Sequence, residues 1–133
     1  MKSTGKLIYS PKTHLNNSKW WAILSCDEEF CKYYSYLYSK QYPYCNANYN
    51  GKIVRPIWGA HISFLRNEKP RNDLWEIDKN KLIDFEYIPG ILDNKEHFWL
   101  NIKCDYLLNL RERYGLEREP KFGLHLTVAR IAG

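Results

Sequence analysis

One motif occurs twice in this chain: Gly59-x-His61-x-Ser63-x-x-Arg66 returns as Gly123-x-His125-x-Thr127-x-x-Arg130, with the same spacing at every named position. A second repeat precedes each copy, Trp21-x-x-x-x-Cys26-Asp27 and then Trp99-x-x-x-x-Cys104-Asp105. A duplicated chain builds its core from two similar units, so the repeats constrain the fold more than composition does. Each unit reads strand, helix, strand, with the histidine strand last. The first unit is the longer, and its excess falls in a polar loop over residues 44–57 that contains Tyr and Asn.

Local signals place the elements. Lys6–Ser10 reads as a short strand ending at Pro11, and Trp20–Cys26 as a second, largely buried one. Asp27 has the place of an N-cap ahead of Phe30, Tyr33, Tyr34, Leu37 and Gln41 at helical spacing, and Pro43 stops that run. Ala60–Arg66, Leu82–Ile88 and His97–Cys104 alternate as strands do. Asp105 opens a second helix through Leu107, Leu110, Arg111 and Tyr114, Gly115 closes it, and Gly123–Ile131 is the last strand. The expected fold is α+β, one domain over residues 1–133. It has duplicated βαβ-type halves related by a pseudo-two-fold axis, in a mostly antiparallel sheet. Both helices lie on one face and a two-histidine cleft on the other.

Composition narrows the functional classes. A chain of 133 residues with 44% hydrophobic residues is enough for one core. An excess of 20 Lys+Arg over 15 Asp+Glu gives a net charge of +5, which favours anionic partners. No low-complexity stretch marks a disordered tail, no apolar run is long enough to span a membrane, and Met1-Lys2-Ser3-Thr4 leads into no signal core. The expectation is a soluble, cytoplasmic protein with no membrane partner. Cys26, Cys31, Cys45 and Cys104 form no C-x-x-C pair, so reduced buried thiols are expected, without disulfides, metal or cofactor. Eleven Tyr and five Trp exceed what so small a core needs, so some rings lie at the surface or line a cleft.

In a strand, residues two apart share a face, so His61 projects with Ser63 and His125 with Thr127. Their neighbours Ile62, Phe64, Leu126 and Val128 turn to the core. Two imidazoles across a cleft can divide general base and general acid work, and the hydroxyls can donate to the non-bridging oxygens of a phosphate between them. Ser and Thr fill ten of 133 positions, so finding one two places after each of two histidines is a rare coincidence. A pair of satisfied core histidines is the competing explanation.

The H-x-[S/T] pair, carried on the last strand of each half, resembles the 2H phosphoesterase superfamily over essentially the whole chain. Trp58-Gly-Ala-His-Ile-Ser-Phe-Leu-Arg-Asn-Glu68 and Phe122-Gly-Leu-His-Leu-Thr-Val-Ala-Arg130 look like a branch of phages and mobile elements labelled RNA-repair-like. Superfamily members act on 2′,3′-cyclic phosphates and 2′-5′ linkages. The anti-CBASS phosphodiesterases of tailed phages act on cyclic oligonucleotide alarm signals. The resemblance implies that His61, Ser63, His125 and Thr127 are catalytic. Ser63 stands where many members have Thr, which keeps the hydroxyl.

The expected activity is metal-independent cleavage of a cyclic nucleotide or oligonucleotide, of the kind used as immune second messengers. The alternatives are processing of RNA ends with a 2′,3′-cyclic phosphate or 2′-5′ bond, and a binding module for a nucleotide signal or RNA. Candidate substrate contacts are Tyr9, Lys12, Trp58, Trp75, Arg66 and Arg130. Tyr9 could stack on a base, while Lys12 or Lys6 could hold phosphate. Trp58 and Trp75 are stacking platforms or core. On ideal alternation Arg66 and Arg130 face away from their histidines, so each is a structural ion pair or a phosphate contact. Tandem Trp20-Trp21 divides between core and cleft wall. His14 and His97 lack a hydroxyl partner and read as surface or structural residues, and Arg111-Glu-Arg as a solvated helix face.

Overall fold

In Leu82–Tyr87 the apolar alternation of the sequence becomes a burial alternation: Ile83 and Phe85 are buried while Leu82, Asp84 and Glu86 are exposed. The same period-two pattern sets the other long strands. The computed structural model describes residues 1–11, 20–41, 52–54, 59–89, 92–93 and 97–132. In chain order these hold β1 (Lys2–Tyr9), β2 (Ala22–Ser25), α1 (Glu29–Gln41), β3 (Lys52–Val54), β4 (His61–Leu65), β5 (Leu82–Tyr87), β6 (Leu92–Asp93), β7 (His97–Lys103), α2 (Asp105–Arg113) and β8 (His125–Ala132). Among the described residues, no helix is long and apolar enough to cross a membrane.

The expected fold class is corrected by the pairing of these strands. All the ladders are antiparallel, and the order β8-β4-β2-β1-β5-β7 returns from β7 to β8, closing six strands into a barrel. β3 and β6 add short edges on β8 and β7. The described residues are therefore mostly sheet with two short helices, and not a duplicated βαβ fold with helices laid on an open sheet. Alternation tells which face a residue takes but not which strand it pairs with. Closure depends on partners far apart in sequence, Lys2–Lys6 with Leu82–Glu86 and β7 with β8. Strands β3 and β6 escaped sequence reading because three and two residues are too short to show a period.

Asp27 does start α1, its Oδ1 accepting the Glu29 N–H at 2.9 Å. α2 differs: Cys104 is its N-cap and makes no side-chain cap bond, while Asp105 is the first helical residue. Ile62, Phe64, Leu126 and Val128 are all 0% exposed in one core with Leu7, Leu24, Phe98 and Leu107. Cys26, Cys31 and Cys104 are buried thiols, and Cys45 lies outside the described residues.

Candidate active site

The two motif strands are neighbours: β4 and β8 pair with Ile62 opposite Leu126. Continuing that antiparallel register one step each way sets His61 beside Thr127 and Ser63 beside His125. Ser25 opposes His61 and Lys6 opposes Ser25, while Trp99 opposes Thr127 and Asn101 opposes His125. One face of the sheet thus carries the rung Lys6, Ser25, His61, Thr127, Trp99 and beside it Ile23, Ser63, His125, Asn101. Diagonal neighbours on adjacent strands stand roughly 7–8 Å apart, which leaves room for a phosphate between the imidazoles. His61, Ser63, His125 and Thr127 are all half-buried.

Both motif strands carry a β-bulge at the same place. Ala22 pairs with Leu65 but Ile23 with Ser63, so Phe64 is the extra residue of β4; Phe98 pairs with Ala129 but Trp99 with Thr127, so Val128 is the extra residue of β8. The bulge turns two successive residues to the core, Phe64 with Leu65 and Val128 with Ala129, each at most 1% exposed. The alternation slips by one beyond it. Arg66 and Arg130 therefore return to the histidine face, and their placement opposite it under ideal alternation is corrected. The Arg66 guanidinium lies 4.7 Å from the centre of the Trp21 ring. Arg130 is half-buried, and its Nε is buried without a hydrogen-bond partner among the described residues.

A bulge breaks the ladder and leaves backbone carbonyls to be satisfied elsewhere. The helices do this. Arg111 of α2 donates from Nη1 to the Phe64 carbonyl at 2.8 Å, and the Cys31 thiol of α1 meets the Thr127 carbonyl at 3.7 Å. Arg111 is 1% exposed, grips Glu68 through two bonds of 2.8 and 2.9 Å, and donates from Nε to the Glu117 carbonyl. Its reading as part of a solvated helix face is overturned, because position 111 lies on the same helical stripe as buried Leu107 and Tyr114. The guanidinium also holds the Glu68 carboxyl below its ordinary range.

Each imidazole is oriented by the backbone two residues before it. His61 Nδ1 is 3.0 Å from the Gly59 carbonyl and His125 Nδ1 is 3.3 Å from the Gly123 carbonyl. A carbonyl only accepts, so Nδ1 carries the hydrogen in both rings and Nε2 of a neutral ring keeps its lone pair. Both glycines have positive φ, +76° and +69°, which brings those carbonyls round to the rings and disfavours any side chain there. Burial lowers the His61 pKa from the usual imidazole value, and the charges of Arg66 and His125 lower it further, against the Gly59 bond and the Glu28 carboxylate. Trp21, 1% exposed, donates its indole N–H to Ser63 Oγ at 2.9 Å and sets its ring edge-on to His61 at 5.8 Å. Indole N–H has no lone pair to offer, so the Ser63 hydroxyl proton is left for an acceptor on the open side.

The remaining candidates separate. Tyr9 is 4% exposed, and its hydroxyl is held by the Ile77 carbonyl and the Tyr114 hydroxyl at 2.7 and 2.8 Å, so it is a core residue and not a base platform. Trp75 packs on that cluster, with ring centres 4.8 Å from Tyr9 and 5.8 Å from Tyr114, which resolves its two readings in favour of core. Lys12, Trp58 and His14 lie outside the described residues. Trp20 is 37% exposed against Trp75, whereas Trp21 forms the wall beside His61. His97 is exposed on β7. Sequence reasoning missed the burial of Arg111 and the place of Trp99 as ring neighbour of His125, and it left open which of Trp20 and Trp21 forms the cleft wall. The repeat Trp21/Trp99 was the signal, since it puts one Trp just before β2 and the other in β7, the strands paired with the two motifs.

Comparison of the chain with family models, with curated proteins and with solved structures gives no match. The site therefore has to be read from its chemistry. It offers two oriented imidazoles, a polarised hydroxyl, a second hydroxyl and two guanidinium groups on one face. That set suits a phosphodiester: it can neutralise the phosphate and move a proton on each side of it.

Proposed function

We propose that the protein is a metal-independent phosphodiesterase for cyclic nucleotides or oligonucleotides, using His61 and His125 as general base and acid. The observation that carries this reading is the placement of both imidazoles on one face of paired strands, each with Nδ1 committed to a glycine carbonyl and a hydroxyl alongside. His61, whose pKa is lowered by burial first and by the Arg66 charge next, is the one that stays neutral, and its Nε2 accepts a proton from water or a ribose 2′-hydroxyl. The oxygen freed of that proton attacks phosphorus, and protonated His125 supplies its Nε2 proton to the leaving ribose oxygen. Ser63, Thr127, Arg66 and Arg130 hold the non-bridging oxygens as negative charge builds on them. The resemblance of the paired motifs to 2H phosphoesterases points to the same chemistry, and its phage-like branch to an immune-signal ring as substrate.

The test is product analysis by chromatography with mass detection after incubation in EDTA with cyclic di- and trinucleotides and 2′,3′-cyclic mononucleotides. Opened rings are expected, with a loss on the order of 10³-fold in His61→Ala or His125→Ala. Opening of the mononucleotides alone moves the activity to RNA ends. Equal turnover by the double alanine variant, or ligand bound and recovered uncut, overturns the enzyme reading in favour of a binding module.

A further inference from the structure

We propose that Phe122 is a base-stacking platform at the mouth of the His125 side of the site. The ring is 81% exposed, the most exposed large apolar side chain among the described residues. It sits at the tip of a turn closed by the Gly123 N–H on the Pro120 carbonyl at 2.9 Å, so a hydrogen bond holds it in the open. The next residue, Gly123, supplies the carbonyl that orients His125. Phe122 is thus tied through one peptide to the atom that fixes the imidazole, and three residues of chain keep it within about 10 Å of His125. That is the reach of a single nucleotide from phosphate to base.

Two further observations separate this ring from an ordinary exposed hydrophobic, which by itself means nothing. In the sequence the residue before the motif glycine is aromatic in both copies, Trp58 and Phe122, and no core position requires it in the second. The Lys121 ammonium lies 5.4 Å from the Phe122 ring centre, so a positive charge accompanies the aromatic surface. An aromatic ring beside a cation is the pairing that binds a base and its phosphate together with little preference among bases. Around Gly123 a Cβ would meet nothing within 4 Å, whereas at Gly59 it would meet Glu28, so the second motif turn is the open one.

The ligand class comes from the phosphodiesterase reading, but stacking does not depend on cleavage, and the two are tested separately. The probe is a dinucleotide carrying 2-aminopurine, whose fluorescence is quenched on stacking. It is titrated into the His61→Ala/His125→Ala protein, where it stays intact. Quenched binding is expected, with Phe122→Ala weakening it about tenfold and relieving the quench, and Phe122→Trp restoring both. Binding within twofold of the parent in Phe122→Ala, or no binding of the probe at all, overturns the platform. If wild-type protein cuts nothing while Phe122→Ala still weakens the probe, the platform stands and the phosphodiesterase reading falls. If rings are cut and Phe122→Ala titrates like its parent, only the platform falls.

Discussion

The bulges of β4 and β8 occupy equivalent places in the two motif strands, yet they are held very differently. At Phe64 the freed carbonyl meets a buried guanidinium that also grips Glu68, the Trp21 indole binds Ser63, and the Glu28 carboxylate takes the Ala60 N–H at 2.9 Å. On the β8 side the carbonyl of Thr127, the residue before the bulge, has a thiol at 3.7 Å. A charge-assisted bond is stronger than a thiol contact, so the contact from α2 to the β4 bulge holds more firmly than the contact from α1 beside the β8 bulge. In the proposed reaction, firmly held geometry suits the group that waits neutral for a proton.

The largest effect that can break this comparison is on stability. Arg111→Leu leaves the Phe64 and Glu117 carbonyls unpaired and is expected to cost about 3 kcal/mol, against about 1 kcal/mol for Cys31→Ala, both read by urea unfolding. Equal losses would mean that the two bulges are held alike. Next in size is Trp21→Phe, which keeps the ring against Arg66 and His61 but removes the donor to Ser63. A fall of about tenfold in kcat is expected, and no further fall when the change is made in a Ser63→Ala background. Additive losses would show that the indole acts through packing alone.

The smallest effect is on pH dependence. Because His61 titrates below the ordinary imidazole value, the acid limb of kcat/KM lies below that value and moves up when Arg66→Gln removes a neighbouring charge. Folding is linked to the same group: the folded protein binds fewer protons at His61 than the unfolded chain does. Stability therefore falls as pH drops from the unfolded pKa near 6.5 toward the lowered one, and His61→Gln flattens that fall. A limb that stays put in Arg66→Gln would detach Arg66 from the site.

Much of the site was legible because it rests on short-range rules. The alternation around His61 and His125 predicted which residues share their face up to Ser63 and Thr127, and the expected cleft held both imidazoles. The arginines were placed on the wrong face because alternation assumes an unbroken ladder, and a bulge is decided by the partner strand, here at Ala22/Ile23 and Phe98/Trp99. Tyr9 was misassigned, and the two readings of Trp75 stayed open, for a related reason. A Tyr at a strand end looks alike in sequence whether its hydroxyl meets water or, as here, Tyr114, more than a hundred positions away.

The sequence by itself determined the two motifs, the strands and helices that carry them, and the chemistry of imidazole beside hydroxyl. Each of those depends on residues within a turn or a few rungs of one another. Tertiary structure alone decided that the sheet closes into a barrel, that Arg111 is buried, and that Arg66 and Arg130 turn back to the histidines. Those outcomes depend on which distant backbone supplies the missing hydrogen-bond partner, and a local pattern carries no record of it.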